Sequence, residues 1–383
     1  MCQSKIVTVN DLKSCMNQIA LTIGEQCEHG VQTKELNNQK VAACGQFIGE
    51  DARNLAQRGL HGTAAAIRVL SLNQETNTSS LLERLVRYVS DRQTFERTAT
   101  TPISIEKIQD DNTNIIKISE LLYAISQVPD QIPKVVLFRK TLASLLEHSQ
   151  IENKGWSYFT QTSTTDQDIE LLPTAHAILA LSSVNINVTK PINWLVERLK
   201  KSPNEASSSS GGDADISIRI FALYVLAFCN DADKVPESVL INLFEETWKR
   251  TWRLLGYENV EQNVEYWNGV TTYYLRVPWQ LYLLALAARL KFRRFATRAA
   301  QTRLCSIVNS IHNNQFRYPL SGNMISSRTN AIAYDVCSNI MKERRRDRGI
   351  YFRVLLDQVK TSNWVRYISL FISIIIRKCP NNC

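Results

Sequence analysis

The sequence predicts an all-α fold: an α/α toroid of about six helix pairs, an inner apolar ring within an outer amphipathic one, with an N-terminal helical extension. Three observations carry this expectation. A phrase recurs, a glycine-aromatic turn followed by an alanine-rich helix: Gly155-Trp156-Ser157-Tyr158-Phe159 leads to Pro173-Thr174-Ala175-His176-Ala177-Ile178-Leu179. It returns as Gln315-Phe316-Arg317-Tyr318-Pro319 before Arg328-Thr329-Asn330-Ala331-Ile332-Ala333-Tyr334, and more faintly as Gly45-Gln46-Phe47 before His61-Gly62-Thr63-Ala64. Second, helical spacing dominates, and no strand-length run alternates apolar with polar residues convincingly. Third, the helical segments are of two kinds in turn. Those such as Tyr282-Leu283-Leu284-Ala285-Leu286-Ala287-Ala288 are apolar nearly all round and demand burial; those such as Leu82-Glu83-Arg84-Leu85-Val86-Arg87 are amphipathic and suit an outer layer.

Taken in order, Thr63–Leu70 pairs with Leu81–Val89, where Leu81, Leu82, Leu85, Val86 and Val89 form one stripe. Ile115–Ile125 pairs with Val135–Leu146, and Thr174–Leu181 with Pro191–Leu199, whose proline suits a helix start. Ile216–Phe228 precedes Val239–Leu255, Trp279–Leu290 precedes Phe292–Ile311, and Asn330–Ile340 precedes Tyr351–Val359 and a final apolar segment. The first helices are spaced a little over fifty residues apart. An open solenoid is the alternative arrangement of the same pairs. Residues 1–58 fit neither helix type and read as a cap or docking arm; residues 59–383 form the toroid, with a serine- and glycine-rich flexible loop at 200–215.

Of 383 residues, 44% are apolar, enough for a substantial core. The net charge of +9 is unevenly placed: residues 289–383 hold 18 Lys and Arg against four acids, leaving the rest of the chain net negative. That basic quarter predicts an acidic partner, protein or nucleic acid, at Arg293, Arg294, Arg298, Arg344, Arg345, Arg346 and Arg348. Nine cysteines, an odd number without a CxxC pair, argue against a zinc ribbon or a secreted disulfide framework. Met1-Cys2-Gln3-Ser4-Lys5 lacks a signal-peptide core, so the expected location is cytoplasmic. Tyr367–Ile376 is too short to span a bilayer, so no transmembrane segment is expected; with the following Arg377-Lys378 it offers a peripheral membrane contact over 367–378.

The step from Gly155-Trp156-Ser157-Tyr158 to Pro173-Thr174-Ala175 resembles the repeat of the prenyltransferase β-subunit and terpene/squalene cyclase superfamily. The resemblance covers about 150–182 and 315–340, with a fainter echo at 45–70. It implies an α/α toroid whose inner-helix ends surround a central pocket, and a substrate that is an isoprenoid or another apolar phosphorylated molecule. The catalytic motifs are incomplete. An Asp-x-Asp-Asp acid is approached only by Asp166-Gln167-Asp168-Ile169 and Asp213-Ala214-Asp215-Ile216, both lacking the last acid. Asp335-Val336-Cys337 matches the zinc-binding Asp-x-Cys, but no histidine follows it, and Ile332 stands where a diphosphate-binding lysine would help. Zinc needs a third protein ligand, so no cofactor is expected, with Asp335 and Cys337 the candidates for any metal.

The catalytic candidates are accordingly Asp168, His176 and Asp335. The pocket candidates are His61, Trp156, Tyr158, Trp267, Tyr274, Trp279, Arg328 and Tyr334, which combine aromatic walls with polar groups near inner-helix starts. Phosphate loops, dinucleotide fingerprints, nucleophile elbows and HExxH are all missing. The residues favour a non-catalytic or partner-dependent binding and scaffold toroid; the alternative is a cyclase- or prenyltransferase-like enzyme.

Overall fold

The computed structural model describes residues 7–29, 34–36, 39–44, 47–48, 60–73, 79–90, 114–158, 169–201, 216–229, 260–267, 270–275, 279–289, 302, 304–305, 308–309, 312 and 325–346. Helix dominates among them. In chain order the helices are α1 (Val9–His29), α2 (Leu60–Leu72), α3 (Ser79–Ser90), α4 (Ile115–Ser126) and α5 (Val135–His148). They continue as α6 (Leu171–Ser183), α7 (Thr189–Lys200), α8 (Ile216–Phe228), α9 (Trp279–Arg289) and α10 (Ser327–Arg346).

Local chemistry sets several helix starts. Thr8 and Asp11 form a reciprocal capping box ahead of α1: Thr8 N–H donates to Asp11 Oδ2 at 2.7 Å, and Asp11 N–H to Thr8 Oγ1 at 3.2 Å. Asn114 caps α4, its Oδ1 accepting from Lys117 N–H at 3.2 Å. In α6 and α7, Pro173 and Pro191 fall in the first turn, where a missing N–H breaks no helical hydrogen bond. Between α4 and α5 the chain turns through Lys134 at φ 66°, a left-handed residue immediately after Pro133.

The two kinds of helix differ in burial. In α6, nine of thirteen residues are buried, and α8 is buried without a break from Ser217 to Ala227. In α7, by contrast, Pro191, Ile192, Leu195, Val196 and Leu199 form a single buried stripe, while Leu137 of α5 is 70% exposed. The all-round apolar helices have two neighbours each among themselves. Helix α2 packs on α4, α4 on α6, α6 on α8, α8 on α9, α9 on α10, and α10 on α2. Helices α3, α5 and α7 lie against α2, α4 and α6 respectively, each on the helix it follows. Helix α1 packs on α10 and α2 and contributes Leu12, Cys15, Ile19 and Ile23 to the common core.

Short antiparallel ladders join the ends. Strand β1 (Lys34–Leu36) pairs with β2 (Gln39–Val41). Strand β3 (Phe47–Ile48) pairs with β6 (Ile325–Ser326), placing the segments before α2 and α10 side by side. Strands β4 (Val260–Trp267) and β5 (Val270–Leu275) form a hairpin in register Trp267↔Val270. The periodicity reading found no strand there. The signal it passed over is Asn268-Gly269, a residue pair suited to a two-residue hairpin turn, flanked by aromatic and β-branched residues. Cys27, in the last turn of α1, forms a disulfide with Cys44, Cα atoms 5.5 Å apart, tying α1 to the segment that leads to α2. That pairing was not legible from cysteine spacing. No helix among the described residues is long and apolar enough to cross a membrane.

Candidate functional site

The recurring phrase has a structural meaning. Thr174, in the first turn of α6, accepts from Trp156 N–H at 3.0 Å and donates to Trp156 C=O at 3.3 Å. Thr63, early in α2, makes the same two bonds with the backbone of Cys44, at 3.0 and 3.3 Å. Each threonine thereby satisfies both backbone groups of a buried turn residue. Gly155 is needed because a methyl group there would collide with Ile169 Cγ2 and Thr174 Oγ1. The structural match of Trp156 is therefore Cys44, one residue before the Gly45 that the sequence comparison aligned.

Counting from these threonines locates the interior. Two residues on from Thr63, Thr174 and the corresponding Ile118, Arg219, Gln280 and Asn330 stand Ala65, His176, Glu120, Phe221, Tyr282 and Ile332. All six line one crevice. Five residues on stand Arg68, Leu179, Tyr123, Tyr224, Ala285 and Asp335, of which the first three also line it. Equal offsets on helices that pack side by side place these side chains at equal depth. The crevice is narrow, ≈ 30 Å³.

Its polar wall comes from α2, α4 and α10. Glu120 is the hub: His61 Nδ1 lies 2.5 Å from Oε2, while Arg328 reaches Oε1 with Nε at 2.8 Å and a terminal nitrogen at 2.7 Å. Deeper, Arg68 forms an ion pair with Asp335 Oδ2, which also accepts from the Tyr123 hydroxyl at 3.5 Å. The Arg68 guanidinium lies 4.5 Å from the Tyr123 ring centroid, a cation–π arrangement. The opposite wall is aromatic. Phe221 sits 4.5 Å from His176 and 5.0 Å from Tyr282, centroid to centroid, and Tyr224 lies 4.6 Å from Tyr282. Asn339 donates to the Tyr224 hydroxyl at 2.7 Å.

Charge follows geometry. Burial alone raises the Glu120 carboxyl, but Arg328 and His61 outweigh it and hold that group well below the usual carboxylate range. Burial drives His176 down to about 3, helped by Arg328, His61 and Arg68 and opposed by Glu120, so its ring is neutral at physiological pH. Burial likewise raises Tyr224 and Tyr282, which keep their protons. Three buried atoms here have no hydrogen-bond partner among the described residues: Arg68 Nε, His176 Nε2 and Asp335 Oδ1. Away from the crevice Cys15 Sγ lies 3.4 Å from His312 Nε2, but this thiol is not a nucleophile: burial, then Asp11, push it up to about 12.

Of the sequence candidates, His61, His176 and Arg328 line the crevice, and Asp335 supports it through Arg68. Trp156 is fully buried as a strut, its indole N–H donating to Leu146 C=O at 2.7 Å. Tyr158 accepts at its backbone carbonyl from Ile115 N–H at 2.9 Å, Tyr334 is buried in the core, and Trp279 is half-buried at the start of α9; none of these lines the crevice. Cys337 is buried two residues beyond Asp335, about 200° round the same helix. Among the described residues no group of three metal-ligating side chains comes together. Trp267 and Tyr274 lie on β4 and β5 and Arg344, Arg345 and Arg346 on the last turn of α10, with side chains outside the described set. Asp168, Arg293, Arg294, Arg298, Arg348, loop residues 202–215 and segment 367–378 lie outside the described residues.

Arg68, Glu120, Tyr123, Phe221 and Tyr282 were not anticipated. The signal that finds them is their constant offset from the helix-opening position, visible once the repeats are set in register. Compared with known families and with curated proteins, the chain matches no family model and no curated protein.

Proposed function

We propose that this chain is an α/α toroid acting as a ligand-binding module, with a small polar group seated in the interior crevice and the basic C-terminal quarter docking an acidic partner. The cyclic order of neighbours among α2, α4, α6, α8, α9 and α10 supports the closed ring over an open solenoid, whose end helices would lack a second neighbour. The observation that carries the binding reading is the orphaned polar set: His176 and Arg68 line the crevice, and their buried Nε2 and Nε atoms have no hydrogen-bond partner among the described residues. Leaving such groups unsatisfied costs about 1–3 kcal/mol each, so the site is complete only when something polar occupies it. The alternative is a cyclase- or prenyltransferase-like enzyme.

That alternative retains one favourable feature. His61 held by Glu120 is a histidine oriented by a carboxylate, the arrangement of a general base.

Native mass spectrometry of protein purified gently from its own host tests both readings. Retention of a small molecule by the wild type, lost in His176→Leu, is the result expected. A bare wild-type chain whose thermal stability no polar metabolite raises would refute the binding reading. Turnover of a prenyl diphosphate, abolished by His61→Gln, would replace it with the enzyme. For the basic quarter, charge reversal at Arg344, Arg345 and Arg346 should abolish partner binding; binding unchanged across a salt series removes the electrostatic part.

A further inference from the structure

We infer that the group the crevice receives is a carboxylate, entering between His61 and Arg328 and held by His176 and Arg68. The inference rests on the crevice being a ligand site, as proposed above, and adds the chemistry of its occupant.

Hydrogen-bonding capacity is the first argument. Both oxygens of Glu120 are engaged, Oε2 by His61 and Oε1 by Arg328, and Asp335 Oδ2 is engaged by Arg68 and Tyr123. The unpartnered buried atoms on the lining residues are both nitrogens, Arg68 Nε and His176 Nε2. The orphaned Asp335 Oδ1 belongs to a residue that does not line the crevice. Arg68 Nε is always a donor, and the neutral His176 ring donates in its Nε2–H tautomer. A donor pair calls for an acceptor, and an ionised acceptor makes the stronger bonds.

Position is the second argument. His61 is the second residue of α2 and Arg328 the second of α10, so the polar side of the crevice lies at the start of two helices. Their positive dipole ends favour an anion, and they add to His176, a polar side chain more than nine-tenths buried and lining the same space. Glu120 faces the crevice too, and its charge is balanced by Arg328.

Size is the third. A crevice this narrow, ≈ 30 Å³, suits a small anion. The planar carboxylate also offers both oxygens in one plane to two separate donors.

The test uses the full chain with formate, acetate, inorganic phosphate and diphosphate as probes at equal ionic strength. The readout is the His176 imidazole resonance, assigned by its loss in His176→Leu, together with melting temperature. We expect formate or acetate to shift that resonance saturably and raise the melting temperature, with phosphate and diphosphate failing to compete. Arg68→Gln alone strands Asp335 and is at risk of misfolding; Arg68→Gln with Asp335→Asn removes charge in balance and should bind acetate at least about tenfold more weakly. Saturation by phosphate or diphosphate without a carboxylate response overturns the inference while leaving the ligand site standing. A His176 resonance unmoved by every anion also overturns it, and if polar metabolites leave it unmoved as well, the site itself falls.

Discussion

His176 offers the sharpest check on the interior, because its environment makes a signed forecast. Buried between Phe221 and the charged wall, it has a folded-state pKa of about 3 against 6.5 for an unperturbed histidine. The folded value is the lower one, so between pH 6.5 and 3 the unfolded chain binds a proton that the folded chain does not. Stability is therefore indifferent to this group above pH 6.5 and falls as pH drops through that window. With these two values the loss between pH 8 and pH 5 is about 2 kcal/mol. Glu120 acts in the same direction but at lower pH: its depressed pKa gives stability that is present above the ordinary carboxylate range and lost in more acid solution, so stopping at pH 5 separates the two groups. The assay is urea unfolding at half-unit pH steps for wild type and His176→Leu, read as the difference between the two curves. A difference curve falling by about 2 kcal/mol toward pH 5 is the expected result. A flat curve would show that water or a counter-charge reaches His176, and the account of the crevice would be refuted. Saturating acetate should flatten the same curve, since an anion against the ring raises its pKa.

Three further perturbations probe the frame around the site. Gly155→Ala forces a methyl group against Ile169 and Thr174, and should lower stability by about 1–3 kcal/mol in denaturant titration, more than alanine costs at an exposed position. Arg68→Met should cost about 3–5 kcal/mol by stranding Asp335, whereas Arg68→Met with Asp335→Leu should recover most of that loss; equal losses in single and double variants would deny the pairing. Alkylation of unreduced, denatured protein followed by peptide mapping should find Cys27 and Cys44 blocked until reduction, and reduction should cost about 3 kcal/mol for a loop of 17 residues.

Much of the helical frame was legible because its cause is local. Helix α8 spans the Ile216–Phe228 stretch that periodicity picks out, and α9 ends one residue before the expected Leu290. Near-continuous apolar sequence has few ways to be buried, and a length of eleven to thirteen residues favours helix over strand. The polar wall was not legible for the opposite reason. Arg68 sits on a largely apolar helix and Glu120 shares its own only with Lys117, and such an isolated charge reads as a solvated side chain until its partner on another helix is known. Glu120 meets Arg328 across 208 residues, and Tyr123 meets Asp335 across 212, so no local window contains either pair. The histidines and Arg328 were found only because they lie at helix starts, which the repeat had already marked. The disulfide was hidden in the same way, since Cys27 and Cys44 belong to different elements and no short spacing announces them.

The placement of the charges argues that the crevice exists for a reason other than stability. At the level of Arg68, Tyr123 and Asp335 the remaining helices contribute Leu179, Tyr224 and Ala285, all apolar or aromatic. The interior therefore accommodates apolar and aromatic side chains at this depth, and leucine is the packing alternative at each charged position. Buried ion pairs rarely improve on such packing, because desolvating two charges offsets most of their mutual attraction. Here the offset is greater still, since Arg68 Nε and Asp335 Oδ1 lack partners and each such group costs stability. A fold shaped by packing alone would discard this cluster. It would also not confine every charge to α2, α4 and α10 while lining the far side with Phe221 and Tyr282. Under the binding role proposed above, the polar side of the interior would fix a ligand's charged end and the aromatic side would meet its carbon atoms. His176 stands where the two arcs join, touching Phe221 and facing the Arg–Glu wall, and that position makes it the residue on which any occupant must register.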